Sequence, residues 1–228
     1  VEVAPFKKYA GDFVLWKPSK NNEPYWKSPW GNGRPGWHLE CSVMSEKSLG
    51  LPFDIHAGGV DLTFPHHENE IAQSCSVQNH SNPESFAKYW FHNGFVMFEG
   101  EKMSKSIGNI KFIHELIKNH SGETIRFAIL SSHYRQPLNW TDKILKQSKK
   151  TLDRFYRILH ELGSIEINSQ RNELTLEFFN YLLDDINTPK AFAFLSKVYL
   201  MNAPLFEFAL ISATDSVMSI TLALKFSP

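Results

Sequence analysis

The stretch of residues 33–70 constrains the fold of this chain more than any other. Within it, Trp37–Leu49 carries apolar residues at helical spacing and is followed by a glycine, which predicts a helix that ends there. Residues 53–56 are typical of a short strand, and the Ala-Gly-Gly turn after them allows a tight bend or a close approach to a ligand. Residues 65–76 begin with proline, as many helices do. Helices and a strand in this order indicate an α/β fold.

The same stretch holds a cysteine, a histidine and a glutamate, three ligand types that zinc accepts. His66 and Glu70 are four residues apart, so on a helix their side chains lie on one face. With Cys41 they would form an open site, whose remaining position is supplied from elsewhere. The residue types also permit a plainer interpretation, in which the histidines start a helix and Cys41 is a small buried apolar residue. His67 lies three residues before Glu70 and could compete with His66.

A second informative stretch is the loop of residues 102–106, with the sequence KMSKS. Residues 93–103 predict a β-hairpin that turns at Glu-Gly-Glu, and a helix is expected to begin near Ile110. Two lysines in a loop between a hairpin and a helix form either a solvated charged turn or a contact for phosphate oxygens.

The composition excludes several classes of protein. Lys+Arg and Asp+Glu both number 24, so no global basic field indicates nucleic acid, and any such contact must be local. Two cysteines at unrelated positions do not form a disulfide framework, which favours a cytoplasmic location. No uninterrupted apolar run reaches the ~18 residues expected of a membrane helix, so no membrane partner is predicted.

The second half of the chain has a purely helical pattern from Thr141 onward, so we predict domains at residues 1–140 and 141–228. Four basic residues recur at helical spacing in this half: Lys146, Lys150, Arg154 and Arg157. They form either a solvated helix face or a sequence-independent contact with nucleic-acid phosphates.

Shorter patterns add four expectations. Residues 12–17 predict a turn of helix, and residues 82–90 predict a further helix that begins at Asn-Pro. Thr188 is predicted to cap a helix whose first residue is proline. Asp184 and Asp185, just before it, are interpreted as helix-entry residues rather than as paired catalytic acids.

Four motifs in register carry a resemblance to a known family. KMSKS is letter for letter the loop of class I aminoacyl-tRNA synthetases, and WHLEC, DIHAGGVDLTFPHHENEIAQS and SSHYRQPLNW resemble cysteinyl-tRNA synthetases. The resemblance runs from about Asp12 to about Ala193 in the family's order. It implies the C-terminal part of a class I, Rossmann-like catalytic domain followed by an all-helical segment. The implied reaction is ATP-dependent activation of L-cysteine as cysteinyl-adenylate and its transfer to tRNA(Cys).

The resemblance also implies roles for single residues. One Zn²⁺ per chain, held by Cys41, His66 and Glu70, would bind the substrate thiolate. Lys102 and Lys105 match the catalytic loop, and Lys105 is expected to bind ATP, which enters with Mg²⁺. The remaining implied contacts are Gly59 and Asp61 with the adenosine ribose, Trp37 and His56 with the amino acid, and Lys146, Lys150, Arg154 and Arg157 with tRNA.

One departure from the family pattern leaves alternatives open. The family's second zinc cysteine and its HIGH motif belong to its N-terminal half, and neither occurs in the 228 residues, which begin with Val1. We therefore expect a fragment that works with the missing N-terminal half. The alternatives are a cysteine-activating ligase that acts on an amino-sugar, and a non-catalytic RNA-binding fragment.

Overall fold

The computed structural model describes residues 7–79, 82–104, 107–162 and 173–200. The chain forms two compact units, Val1–Phe91 and His92–Pro228. Both contain helices and strands, which confirms the predicted α/β class. The predicted domain boundary at residue 140 marks a different feature, the point after which the sequence pattern is only helical, and it stays a prediction.

The described part of the first unit is built around two helices and two pairs of strands. Strands β1 (Trp16–Pro18) and β2 (Gly33–Pro35) are antiparallel. They are followed by helix α1 (Trp37–Leu49), strand β3 (Phe53–Gly59), a 3-10 turn (Val60–Leu62), a π turn (Thr63–His67), helix α2 (Glu68–Gln78) and strand β4 (Ala87–Asn93), which pairs with β3.

Helix α1 has the predicted bounds, because Gly50 ends it with a φ of 75° that favours glycine. The predicted turn of helix at residues 12–17 is wrong. The backbone N–H of Gly36 donates to the Leu15 carbonyl at 2.8 Å, so this segment is extended against the chain before α1. Pro18 also lacks the N–H that a continuing helix needs.

The helix predicted for residues 82–90 is also wrong. Pro83–Ser85 form a single 3-10 turn, which the Asn82 side chain caps by accepting from the Glu84 N–H at 3.0 Å. The chain then becomes strand β4, where the aromatic run of residues 89–91 suits a half-buried pleated surface. Phe86 and Ala87 are buried against Phe53 of β3.

The second unit begins with a three-stranded sheet in the order β6-β5-β7. Strand β5 (Val96–Phe98) is antiparallel to β6 (Glu101–Lys102) and parallel to β7 (Leu138–Trp140). The predicted hairpin is therefore confirmed, and its turn residues Glu99 and Gly100 both have positive φ, as tight hairpin turns require. Between β6 and β7 lie helices α3 (Ile113–Leu116) and α4 (Gly122–Leu130).

In the described residues after β7 the second unit has three helices: α5 (Asp142–Leu162), α6 (Glu173–Leu183) and α7 (Thr188–Leu200). Their core includes Phe155, Phe178 and Leu195. The predicted helix start at Thr188 holds, but the cap is one residue earlier. Asn187 Oδ1 accepts from the Lys190 N–H at 3.3 Å, whereas the Thr188 hydroxyl donates to the Leu130 carbonyl at 2.6 Å. No helix in the described part of the chain is long and apolar enough to cross a membrane.

Candidate metal centre and lysine loop

The first unit contains a fully buried carboxylate. Glu70, in the first turn of α2, is 0% exposed. Its Oε1 lies 2.8 Å from His66 Nε2, one helical turn earlier, and its Oε2 lies 2.8 Å from His56 Nε2 on β3. A buried charge is costly unless it is paired, so these two imidazoles are what allow a carboxylate here.

Two sets of potential metal ligands share this carboxylate. The thiol of Cys41 on α1, a ring nitrogen of His66 and a Glu70 oxygen all lie within 4.8 Å of one another. The same holds for His56, His67 and Glu70. The structure thus brings together the three residues predicted as zinc ligands, and it also brings in His67, which the sequence left as a competitor.

Aromatic rings cover this cluster. The ring of Trp37 stacks on His66 with centroids 4.1 Å apart, and 59% of Trp37 is exposed. His38 Nδ1 lies 2.7 Å from His66 Nδ1, a contact that the sequence analysis missed. The available signal was spacing, since His38 precedes Cys41 by three residues on the same helix. Trp37 and His56, predicted to line the amino-acid pocket, both lie at this cluster.

The electrostatics of the cluster favour a cation. Burial raises the pKa of Glu70, but the imidazoles of His56, His66 and His67 outweigh burial and hold its pKa below the usual range. Burial and the nearby Glu70 charge raise the pKa of the Cys41 thiol to about 11. Burial also lowers the pKa of His38. A thiol in this setting ionises readily only when a cation offsets the carboxylate, as a coordinating metal does.

These donors fit zinc. A thiol, an imidazole and a carboxylate converge from α1, the π turn and α2, and the carboxylate is buried. Three protein ligands with one further position are typical of zinc sites that bind substrate. The other cysteine, Cys75, is buried, and its thiol lies 3.5 Å from the Asn82 carbonyl and 3.4 Å from Ser85 Oγ. Cys75 therefore belongs to the buried interior of the first unit and not to the ligand set.

The glycine turn packs against the same cluster. A Cβ on Gly58 would lie 2.9 Å from His67 Cε1, and one on Gly59 would lie 2.6 Å from Asp61 Oδ1. The buried His67 ring therefore leaves no room for a side chain at Gly58, whereas the exposed Asp61 carboxylate can move away from one at Gly59. The predicted contact of Gly59 and Asp61 with a ribose stays a prediction.

The lysine loop belongs to the second unit. Lys102 ends β6, and its ammonium lies 3.9 Å from the centroid of the Phe95 ring. The side chain of Asn109 spans the loop base: its Oδ1 accepts from the Ser104 N–H at 2.9 Å and its Nδ2 donates to the Lys102 carbonyl at 3.3 Å. Lys105, the predicted ATP-binding residue, lies outside the described residues.

The basic stripe lies on α5. Lys146, Lys150 and Arg157 are exposed. Arg154 is half-buried, and its Nη2 donates to Ser196 Oγ on α7 at 3.1 Å. The structure thus turns Arg154 towards a neighbouring helix and leaves three predicted tRNA contacts on the surface.

Residues 1–150 match the family described as tRNA synthetases class I (C) catalytic domain. A cysteine--tRNA ligase from Caulobacter vibrioides (strain NA1000 / CB15N) is 58% identical over 191 residues, which are 84% of this chain and 40% of that protein. One from Xanthomonas axonopodis pv. citri is 51% identical over 203 residues, 87% of this chain and 42% of that protein. The chain therefore spans about 40% of the length of these relatives.

A solved structure shows the same fold. It is the ternary complex of Agrobacterium radiobacter K84 agnB2 LeuRS-tRNA-LeuAMS, with a TM-score of 0.57 and 19% identity over 88% of this chain and 31% of that one. At that identity the likeness concerns the fold alone. Together with the match over residues 1–150, it shows that the chain has a class I synthetase fold and belongs to the tRNA synthetases class I (C) catalytic-domain family.

Proposed function

We propose that this chain carries part of the active site of a cytoplasmic enzyme that activates L-cysteine with ATP and transfers it to tRNA(Cys). The observation that carries this proposal is the Cys41, His66 and Glu70 donor set, in a chain of this family. In this set His66 and Glu70 are buried, Cys41 is half-buried, and the exposed ring of Trp37 stacks on His66. Because the chain spans about 40% of its relatives, the activity is proposed for the whole protein.

The donor set would hold Zn²⁺ through Cys41, His66 and Glu70. When bound, zinc supplies a soft Lewis acid that accepts a thiolate in preference to a hydroxyl. His56 contributes by holding the second oxygen of Glu70 at 2.8 Å, which fixes the orientation of the carboxylate. Trp37 stacks on His66 and fixes that ring in the same way.

This arrangement addresses the main specificity problem of a cysteine-activating enzyme. Serine differs from cysteine only by oxygen in place of sulfur, so the two are nearly the same size. A pocket that measures size alone discriminates near-isosteres by about 10–200-fold. Recognition of the thiolate by a soft metal separates the two by chemistry.

The lysine loop supplies positive charge for the activation step. As the amino-acid carboxylate attacks the α-phosphate of ATP, negative charge moves onto the departing pyrophosphate, which carries Mg²⁺. Preorganised donors aimed at this charge lower the barrier. We assign this role to Lys105 with Lys102, and we assign sequence-independent phosphate contacts of tRNA to the exposed Lys146, Lys150 and Arg157.

A chimera tests the proposal. The matched segment of the Caulobacter vibrioides ligase is replaced by this chain, and cysteine-dependent ATP–pyrophosphate exchange and charging of tRNA(Cys) are measured. We expect both activities with cysteine and neither with serine. Exchange with transfer to an amino-sugar but not to tRNA would favour the amino-sugar ligase. A folded chimera that binds RNA without exchange would favour the non-catalytic fragment.

A further inference from the structure

One carboxylate joins two distant parts of the second unit. Asp185 lies between α6 and α7 and accepts hydrogen bonds from residues 51 and 50 positions earlier. The Tyr134 hydroxyl donates to Oδ1 at 2.5 Å. Arg135 donates through Nε to Oδ2 at 2.6 Å and through Nη2 to Oδ1 at 3.1 Å. A charge-assisted, bidentate contact of this kind fixes the relative orientation of the arginine and the carboxylate.

The buried tyrosine is the important member of this group. Arg135 and Asp185 are exposed, and an exposed ion pair alone contributes little. Tyr134, by contrast, is 4% exposed, so its hydroxyl needs a partner inside the fold. Burial and the hydrogen bond from its hydroxyl to Asp185 raise the pKa of Tyr134 to about 12. Asp185 therefore fixes the position of the Tyr134 side chain.

The backbone at Asp185 is unusual. Asp185 and Ile186 both have a φ of 53°, in the left-handed region that residues other than glycine seldom adopt. Such conformations persist where surrounding contacts determine them, and they are concentrated at functional positions. The contacts with Tyr134 and Arg135 are of this kind.

From Tyr134 the contacts continue to the hairpin that carries the lysine loop. The Tyr134 carbonyl accepts from the Gly94 N–H at 2.7 Å, and a Cβ on Gly94 would lie 2.6 Å from the Gln136 carbonyl oxygen. Gly94 lies two residues before β5, whose partner strand β6 ends at Lys102. Direct contacts thus lead from the α6–α7 connection, through the loop that precedes β7, to the lysine hairpin.

We propose that Asp185 is a positioning residue for the lysine hairpin, which it holds in register through Tyr134 and Gly94. The catalytic consequence rests on the proposed function: the hairpin presents its lysines to ATP correctly only while Asp185 holds the Tyr134 loop. The same contacts would transmit a displacement of the α6–α7 connection, on the helical side of the unit, to the activation step.

The first test is independent of activity. In the 228-residue chain, hydrogen exchange of the Gly94 amide is followed by NMR in Asp185→Asn, Tyr134→Phe and Asp184→Asn variants. Asp184 is the matched control, since it is the neighbouring acid and pairs with Lys190 at 3.5 Å. We expect Asp185→Asn and Tyr134→Phe each to accelerate exchange about tenfold, as loss of a hydrogen bond to a charged group would, and Asp184→Asn to leave it unchanged. Equal exchange in the two Asp→Asn variants would overturn the proposal.

The second test uses the chimera. Asp185→Asn should lower kcat for pyrophosphate exchange by about tenfold with an unchanged KM for cysteine, whereas Asp184→Asn should match the parent. The Asp185→Asn, Tyr134→Phe double variant should lose no more than either single variant, because both act through one contact. Additive losses would overturn the positioning role. If the parent chimera lacked exchange, the proposed function would fail, and the hydrogen-exchange result would still decide whether Asp185 holds the hairpin.

Discussion

Glu70 illustrates how much of the candidate site depends on single residues. Its carboxylate is fully buried, and each oxygen lies 2.8 Å from an imidazole nitrogen. Removing one partner of such a group typically costs more than the pair contributes, because a charge remains buried without compensation. The histidines around Glu70 therefore stabilise the fold, in addition to any role they have in binding a metal.

Cys41→Ala is expected to remove most of the bound zinc. Loss of a thiolate ligand should be large, since structural zinc in small peptides is worth an apparent ~10–16 kcal/mol at pH 7. Metal analysis of the purified chain should find one zinc per chain in the parent and much less in Cys41→Ala. The control is Cys75→Ala, which removes the other free cysteine and should retain the metal. Full zinc in Cys41→Ala would contradict the ligand assignment.

Lys105→Ala is expected to slow activation rather than weaken substrate binding. In the chimera, the rate of pyrophosphate exchange should fall by about 10²–10³, which corresponds to ~2.7–4 kcal/mol, with the KM for cysteine unchanged. Lys118→Ala, an exposed lysine of the same unit, is the control and should have no effect. A change confined to KM would make Lys105 a ground-state contact.

At the scale of elements, local signals predicted some structures and tertiary contacts decided others. Helix α1 was predictable from its apolar spacing and the glycine that ends it. Strand β4 was not predictable from its own sequence, because its aromatic residues fit a helix face and a strand equally well. Its pairing with β3, a tertiary contact, decides for the strand. The proximity of His66 and Glu70 was predictable, because a spacing of four residues places both side chains on one helix face. The spacing of His38 from Cys41 on α1 indicates that His38 lies near the ligand set, but it does not indicate the contact with His66, 28 positions away. The contact of Asp185 with Tyr134 joins residues 51 positions apart, and no local pattern reveals it.

Gly94→Ala is expected to destabilise the second unit. Its new Cβ would lie 2.6 Å from the backbone carbon and oxygen of Gln136, and backbone atoms yield less easily than side chains. Overpacking of this kind typically costs about 1–3 kcal/mol, which urea unfolding should measure. Gly122→Ala is the control, since a Cβ there meets nothing within 4 Å and α4 begins at that residue. If Gly94→Ala and the parent unfolded at the same urea concentration, the contact of Gly94 with Gln136 would be able to relax, and the prediction would be wrong.

At the scale of the whole molecule, the 228 residues are expected to be silent in cysteine-dependent pyrophosphate exchange. They supply the lysine loop and three potential zinc ligands, and their sequence holds no HIGH motif. In open α/β folds ligands bind at the crevice where strand order reverses, so both halves of the sheet contribute to the site. The measurement is exchange by the purified chain, alone and after addition of the part of the Caulobacter vibrioides ligase outside the matched segment. We expect exchange only in the mixture, and a Cys41→Ala chain in the same mixture should not restore it. Robust exchange by the chain alone would refute the divided site and leave the family membership intact.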